Sequence, residues 1–179
     1  MTVFRSAGVD DADRIAALHA DSWQRFYRGA YADSFLDGDV VANRRAVWSE
    51  RLASPAGSET VVAEQDDRLV GFVHVMFDAD PKWGSLVDNL HVAHDQHRSG
   101  LGSRLLGLAA RAVLERAGGD GMYLWVLQQN LAAQGFYRAC GGTCVEAAAV
   151  SPPGGDPTRL NGSPLMLRMV WPEADQAIR

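Results

Sequence analysis

The residues with most chemical potential sit around Gly100 and Gly102. An apolar stretch, Leu86 to Val92, reads as a strand, and residues 93–99 form a short polar loop after it. Two glycines spaced by one residue follow, and a helix with an apolar face begins there. Glycines let a backbone approach a ligand closely, and the first amides of a helix have no partner within the helix. The helix dipole adds roughly half a positive charge at that end. This is the layout needed to hold a phosphate, so Arg98, Ser99, Gly100, Leu101, Gly102 and Ser103 are predicted to bind a phosphorylated cofactor. A dinucleotide fingerprint would need a third glycine where Leu105 stands, and a Walker loop would need Lys after Gly102, where Ser103-Arg104 follow.

The arrangement resembles motif A of the GCN5-related N-acetyltransferase superfamily: a valine ending the fourth strand, four residues, then Gln/Arg-x-x-Gly-x-Gly/Ala. Val92, His97, Gly100 and Gly102 fall on those positions, with His97 standing where Gln or Arg is usual. Residues 130–142 are similar to the family's motif B, Asn-x-x-Ala-x-x-Phe-Tyr-x-x-x-Gly, and follow an apolar strand, Met122 to Leu127. Two ordered motifs on the right local structure are far more specific than one glycine pair, and the resemblance spans about residues 1–150.

The resemblance implies acetyl-CoA as the cofactor, with its pyrophosphate on the Gly100–Ser103 amides and His97 near the phosphates. It implies that the backbone of Leu90, His91 and Val92 pairs with the pantetheine arm and supplies an oxyanion donor, with Asn130 contacting the arm or holding the strand end. It makes Tyr137 the general acid for the thiolate. The activity it implies is acetyl transfer to a primary amine, on a small molecule or a protein N-terminus, by direct attack in a ternary complex. A catalytically silent acyl-CoA-binding module and a transferase for longer acyl chains are the rival readings. A homodimer through the last strands stays open.

An amine must lose a proton before it attacks, because a free ammonium (pKa about 10) has no lone pair. Asp88 is the candidate base: strand alternation groups it with Leu86, Leu90 and Val92, an apolar face where desolvation would raise its pKa. A water chain is the equal alternative. His91, His94 and His97 recur every third residue, but the chain turns from strand to loop within that span, so no metal site is expected. His74 reads as a satisfied interior histidine. Trp23, Tyr27 and Tyr31 lie at helical spacing, which by itself suits a core stripe; the resemblance implies that this region walls the acceptor pocket and makes them the candidate acceptor-binding residues. Asp21, Asp33, Asp37 and Asp39 crowd the same region, and an aromatic, acidic pocket would suit a cationic amine.

The remaining elements must position these groups. The expected order is strand, two helices, three strands, helix, strand, helix, two strands. Its members are strands 2–5, 60–64, 69–77, 85–92, 122–127, 143–150 and 165–171, and helices 10–22, 39–52, 100–117 and 131–139. That order is α/β (α+β) and resembles the acetyltransferase fold, which implies a mixed, twisted sheet of about seven strands, the fourth and fifth parallel and splayed, flanked by about four helices. With 179 residues, 47% of them hydrophobic, one domain over 1–179 is expected. A net charge of −5 without basic runs argues against nucleic acid. Two cysteines make no disulfide framework, the early charges Arg5, Asp10, Asp11, Asp13 and Arg14 do not suit a signal peptide, and no stretch suits a bilayer, so a cytoplasmic protein is expected.

Overall fold

Hydrophobic alternation and helical stripes resolve, in a computed structural model describing residues 1–178, into a seven-stranded sheet with helices on both faces. The strands are β1 (Val3–Ser6), β2 (Ser58–Gln65), β3 (Arg68–Asp80), β4 (Gly84–Val92), β5 (Met122–Leu127), β6 (Thr143–Ala149) and β7 (Leu165–Trp171). The helices are α1 (Ala12–Phe26), α2 (Asp33–Leu36), α3 (Val40–Ala53), α4 (Leu101–Arg116) and α5 (Leu131–Ala139). Spatial order is β1-β2-β3-β4-β5-β7-β6. Only β4 and β5 pair in parallel; every other neighbouring pair is antiparallel.

The sequence-based order holds, with one addition. The one-turn helix α2 makes five α-helices rather than about four. It is too short to show a period, and it is held by main-chain bonds from Phe35 and Leu36 to Ala32. Tyr31 does not continue helix α1, which ends at Phe26; it bridges instead to Leu160, far along the chain. The β2–β3 hairpin turns at Asp66 and Asp67, both at positive φ (49° and 60°), the torsions that suit a two-residue hairpin turn.

The core lies on both sides of the sheet. On one face α4 sets Leu105, Leu106, Ala109 and Val113 against Val73, Val75 and Val87. The approach is close: a Cβ on Gly71 of β3 would come within 2.9 Å of the Leu105 side chain. On the other face α1 and α3 set Ile15 and Trp48 against Val62, Leu69 and Phe72. Arg5 ties the sheet edge to the α1 start through Asp11 and Glu64, and its guanidinium holds the Asp11 carboxyl below the usual range. Among the described residues no helix is long and apolar enough to cross a membrane.

Candidate active site

The loop after β4 makes a 3-10 turn over His94–Gln96 and then reverses through Arg98 (φ 64°) and Gly100 (φ 83°) into α4. Gly100 stands at the cap position in the left-handed region, so it carries no capping side chain. Ordinary helical bonding starts with the Arg104 amide on the Gly100 carbonyl, 3.1 Å. The Leu101 amide has only the Ser99 hydroxyl at 3.4 Å, and no side chain caps the first turn, which leaves the Gly102 and Ser103 amides free for an anion.

The two glycines are required for different reasons. Gly100 needs its torsion, and a Cβ there would meet nothing within 4 Å. Gly102 has ordinary helical torsions, and a Cβ there would press on the Phe136 ring at 3.2 Å. Gly102 is thus also a packing position between α4 and α5.

β4 and β5 pair at only two steps, Ser85 with Met122 and Leu86 with Tyr123, and then separate. The Ala93 amide bonds the Val70 carbonyl at 2.8 Å. Antiparallel alternation therefore turns the backbone groups of His91 and Ala93 toward β3 and those of Leu90 and Val92 toward the gap. His97 covers part of that edge, its Nε2 3.1 Å from the Val92 carbonyl. His91 departs from the sequence-based expectation: its backbone belongs to the β3 ladder (opposite Phe72), and its buried ring bonds Ser22 of α1 at 2.8 Å. Asn130 caps α5, its side chain accepting from the Ala133 amide at 3.1 Å. Further along α5, Tyr137 is buried with its ring edge-on to Trp171. Burial, and secondarily the phenol of Tyr27, pushes its hydroxyl above the ordinary range, so it carries its proton.

Asp88 is not alone on an apolar face. Asn89 opposes His74 and Val87 opposes Val75, so Asp88 is the extra residue of a β-bulge, and the bulge breaks the alternation on which the expectation rested. Its carboxylate meets Arg51 of α3 at 2.6 Å, and Arg51 also holds Asn89 at 2.7 Å.

Beside the gap lies a chamber filled largely by its own aromatic and polar side chains. Trp23 stacks on Tyr27 (ring centroids 5.4 Å) and meets Tyr31 edge-on (4.9 Å); with Tyr31 and Phe35 it packs against Leu127, the last residue of β5. His19 lies 4.5 Å from the His91 ring and accepts from Trp48 at 2.9 Å. Burial, then the nearby positive charges, holds His91 at about 3 and His74 at about 4, and both are therefore neutral. His74 bonds Thr60 at 2.7 Å, the satisfied interior histidine expected.

Sequence reasoning missed Arg44. It is 7% exposed, its guanidinium lies 4.2 Å over the Trp23 ring, and burial brings its pKa down to about 10. The signal was present: Val40, Arg44, Trp48 and Leu52 form the buried stripe of α3, and a cation inside such a stripe is unusual.

The expected acidic pocket does not form. Asp21 pairs with Arg25, and Asp33 and Asp37 both pair with Arg28, all at the surface. A surface depression of about 620 Å³ borders α1 near Arg14, Asp21, Arg25, Arg68 and Asp95. Most of its charges are paired, Arg25 with Asp21 and Arg68 with Asp95, and none of the motif residues lines it.

The chain is 28% identical over 138 residues to the probable N-acetyltransferase Rv2775 of Mycobacterium tuberculosis, covering 75% of each. It is 25% identical over 144 residues to the uncharacterized N-acetyltransferase YuaI of Bacillus subtilis, covering 78% of this chain and 79% of that one. The fold matches that of the PaiA N-acetyltransferase of Thermoplasma acidophilum, solved in complex with coenzyme A, with a TM-score of 0.70, 18% identity, and 96% and 99% of the two chains covered. The model of the acetyltransferase (GNAT) family matches residues 15–141, a span holding both glycines, Asn130 and Tyr137, and the chain belongs to that family.

Proposed function

We propose that this chain transfers the acetyl group of acetyl-CoA directly to a primary amine held in the chamber between α1, α3 and β4. The observation that carries this reading is the uncapped α4 start, beside the gap that opens where β4 and β5 stop pairing, with Leu90 and Val92 on its β4 edge. Acetyl-CoA supplies an activated acetyl group on a thioester and a thiolate that leaves.

The residues divide the remaining work. The Gly102 and Ser103 amides hold the pyrophosphate, helped by the helix dipole. The Leu90 and Val92 backbone groups pair the extended arm, and an amide on this edge donates to the carbonyl oxygen as negative charge builds there. His97 yields the Val92 carbonyl when the arm pairs. The amine nitrogen forms its bond to the acetyl carbon and the carbon–sulfur bond breaks. Tyr137, neutral because it is buried, gives its proton to the departing sulfur. The proton lost by the amine passes to Asp88, once Arg51 releases it, or to water. Neither cysteine is needed: Cys140 is buried and Cys144 exposed on β6, and direct transfer uses no covalent nucleophile.

The test is release of free thiol from acetyl-CoA with a panel of primary amines. Acetyl-CoA-dependent release that rises with amine concentration supports the reading. A protein that binds coenzyme A and releases no thiol with any amine contradicts it.

A further inference from the structure

The charges of the chamber do not balance. Arg44, Arg51 and Asp88 face it from α3 and β4, while His19, His74 and His91 are held neutral by burial. Asp88 is engaged by Arg51. No carboxylate among the described residues lies within salt-bridge distance of Arg44. Its Nε and Nη2 both donate to the one amide oxygen of Asn43, at 3.0 and 2.6 Å, while Nη1 has no protein acceptor and keeps a little solvent contact. Burying a cation without a counter-ion is costly, and such groups are normally paired.

A second donor is orphaned beside it. The indole Nε1 of Trp23, the ring under Arg44, is the one buried side-chain nitrogen or oxygen without a partner among the described residues. It sits near enough to the Tyr27 phenol to favour its ionised form yet makes no hydrogen bond of regular geometry. Two stacked side chains thus each carry an N–H without a protein acceptor, and neither can accept. An anion with two acceptor oxygens would satisfy both and supply the missing charge.

Resting on the acetyltransferase reading, the geometry points to an acceptor that is itself a carboxylate: a free amino acid with an apolar or aromatic side chain, its carboxylate on Arg44 Nη1 and Trp23 Nε1 and its amine toward Asp88 and the gap. The zwitterion supplies the missing negative charge and leaves its ammonium beside the one carboxylate of the chamber. Trp23, Tyr27, Tyr31 and Phe35 give the side chain an apolar wall. Polyamines and aminoglycosides, which bring only positive charge, fit this chamber poorly.

The test compares matched acceptors: phenylalanine, leucine and methionine, the amides of each, and the amines left by removing each carboxylate. In wild type kcat/KM favours the best acid over its amide and amine by about 100-fold or more, because a site built to pair a charged group rejects the analogue lacking it. Arg44→Gln raises KM for the acid about 100-fold with a smaller change in kcat, bringing acid and amine together, and Arg44→Lys restores part of the preference. Coenzyme A affinity, measured on each variant, stays at the wild-type value and shows that the variants are folded. Calorimetry of the same acceptors on the coenzyme A-loaded protein reads the subsite without turnover: acids bind wild type, amides do not, and Arg44→Gln loses the acids. Amides and amines equal to the acids, or an Arg44→Gln that lowers every acceptor alike, overturn the proposal. Acids that bind through Arg44 with no thiol release leave the subsite standing and sink the transfer reading instead.

Discussion

The α4 start and the chamber behind His91 stand on either side of β4 and are built from opposite materials. The first is exposed backbone: a left-handed glycine, two free amides and a dipole. The second is buried side chains, in which Trp23, Arg44, His19 and Trp48 pack ring on ring with few free polar atoms. A backbone site recognises what every phosphate shares. A side-chain site recognises one shape and one charge pattern. The two helix starts near the gap repeat the contrast: α4 has no side-chain cap, while α5 is closed by its own Asn130.

If the division is right, changes on the two sides separate cleanly in kinetics. The largest effect is expected at the gap itself. Tyr137→Phe keeps the ring packed against Trp171 and should cut turnover by about 10²–10⁴-fold with coenzyme A affinity nearly unchanged. Pre-steady-state thiol release beside calorimetry checks this; intact turnover would make Tyr137 a packing residue and route the proton through water.

Next in size is Gly102→Val. The side chain lies between the loop and Phe136, so it should abolish measurable coenzyme A binding and lower the melting temperature as well, since Phe136 must move. Gly102→Ala should show both effects in weaker form. A variant with lowered stability and wild-type affinity would place the need for this glycine in packing alone.

Acid separates the two sides in another way. His74 and His91 are held at about 4 and about 3 in the folded chain, below the ordinary value of about 6.5. The unfolded chain therefore binds protons first as pH falls. Their contribution is full above about pH 6.5 and declines toward pH 4, with a slope approaching about 1.4 kcal/mol per pH unit for each histidine. Urea midpoints measured from pH 7.5 to 4.5 check it. Replacing His74 with Phe should flatten the slope, and a flat wild-type profile would mean that these rings are reached by water.

The smallest effect is expected at the closed helix start. Asn130→Ala removes the bond to the Ala133 amide and should cost about 1 kcal/mol of stability. A matching loss of coenzyme A affinity would show that Asn130 contacts the arm as well; stability loss alone leaves it a cap.

The same contrast explains what could be read from the sequence. The glycine loop, the ends of β5, α5 and β7, and the Asp66-Asp67 turn follow from local torsion and period, which one stretch of chain displays. The chamber depends on partners far apart. The bulge at Asp88 exists only in register with His74 and Val75, and it reverses which face the residue joins. Tyr31 is fixed by Leu160, and the expected acidic wall dissolves into pairs: Asp21 with Arg25 at helical i,i+4 spacing, and Asp33 and Asp37 with Arg28, which no helical spacing announces. Arg44 alone left a local trace, as the cation in the α3 stripe.

The central claim is that the open α4 start belongs to coenzyme A, and thermal unfolding with coenzyme A, NAD and ATP in parallel tests it most directly. At about 100 times its dissociation constant, coenzyme A should stabilise the fold by about 2.7 kcal/mol, and the other two nucleotides should do much less. A shift with NAD or ATP and none with coenzyme A would contradict the account.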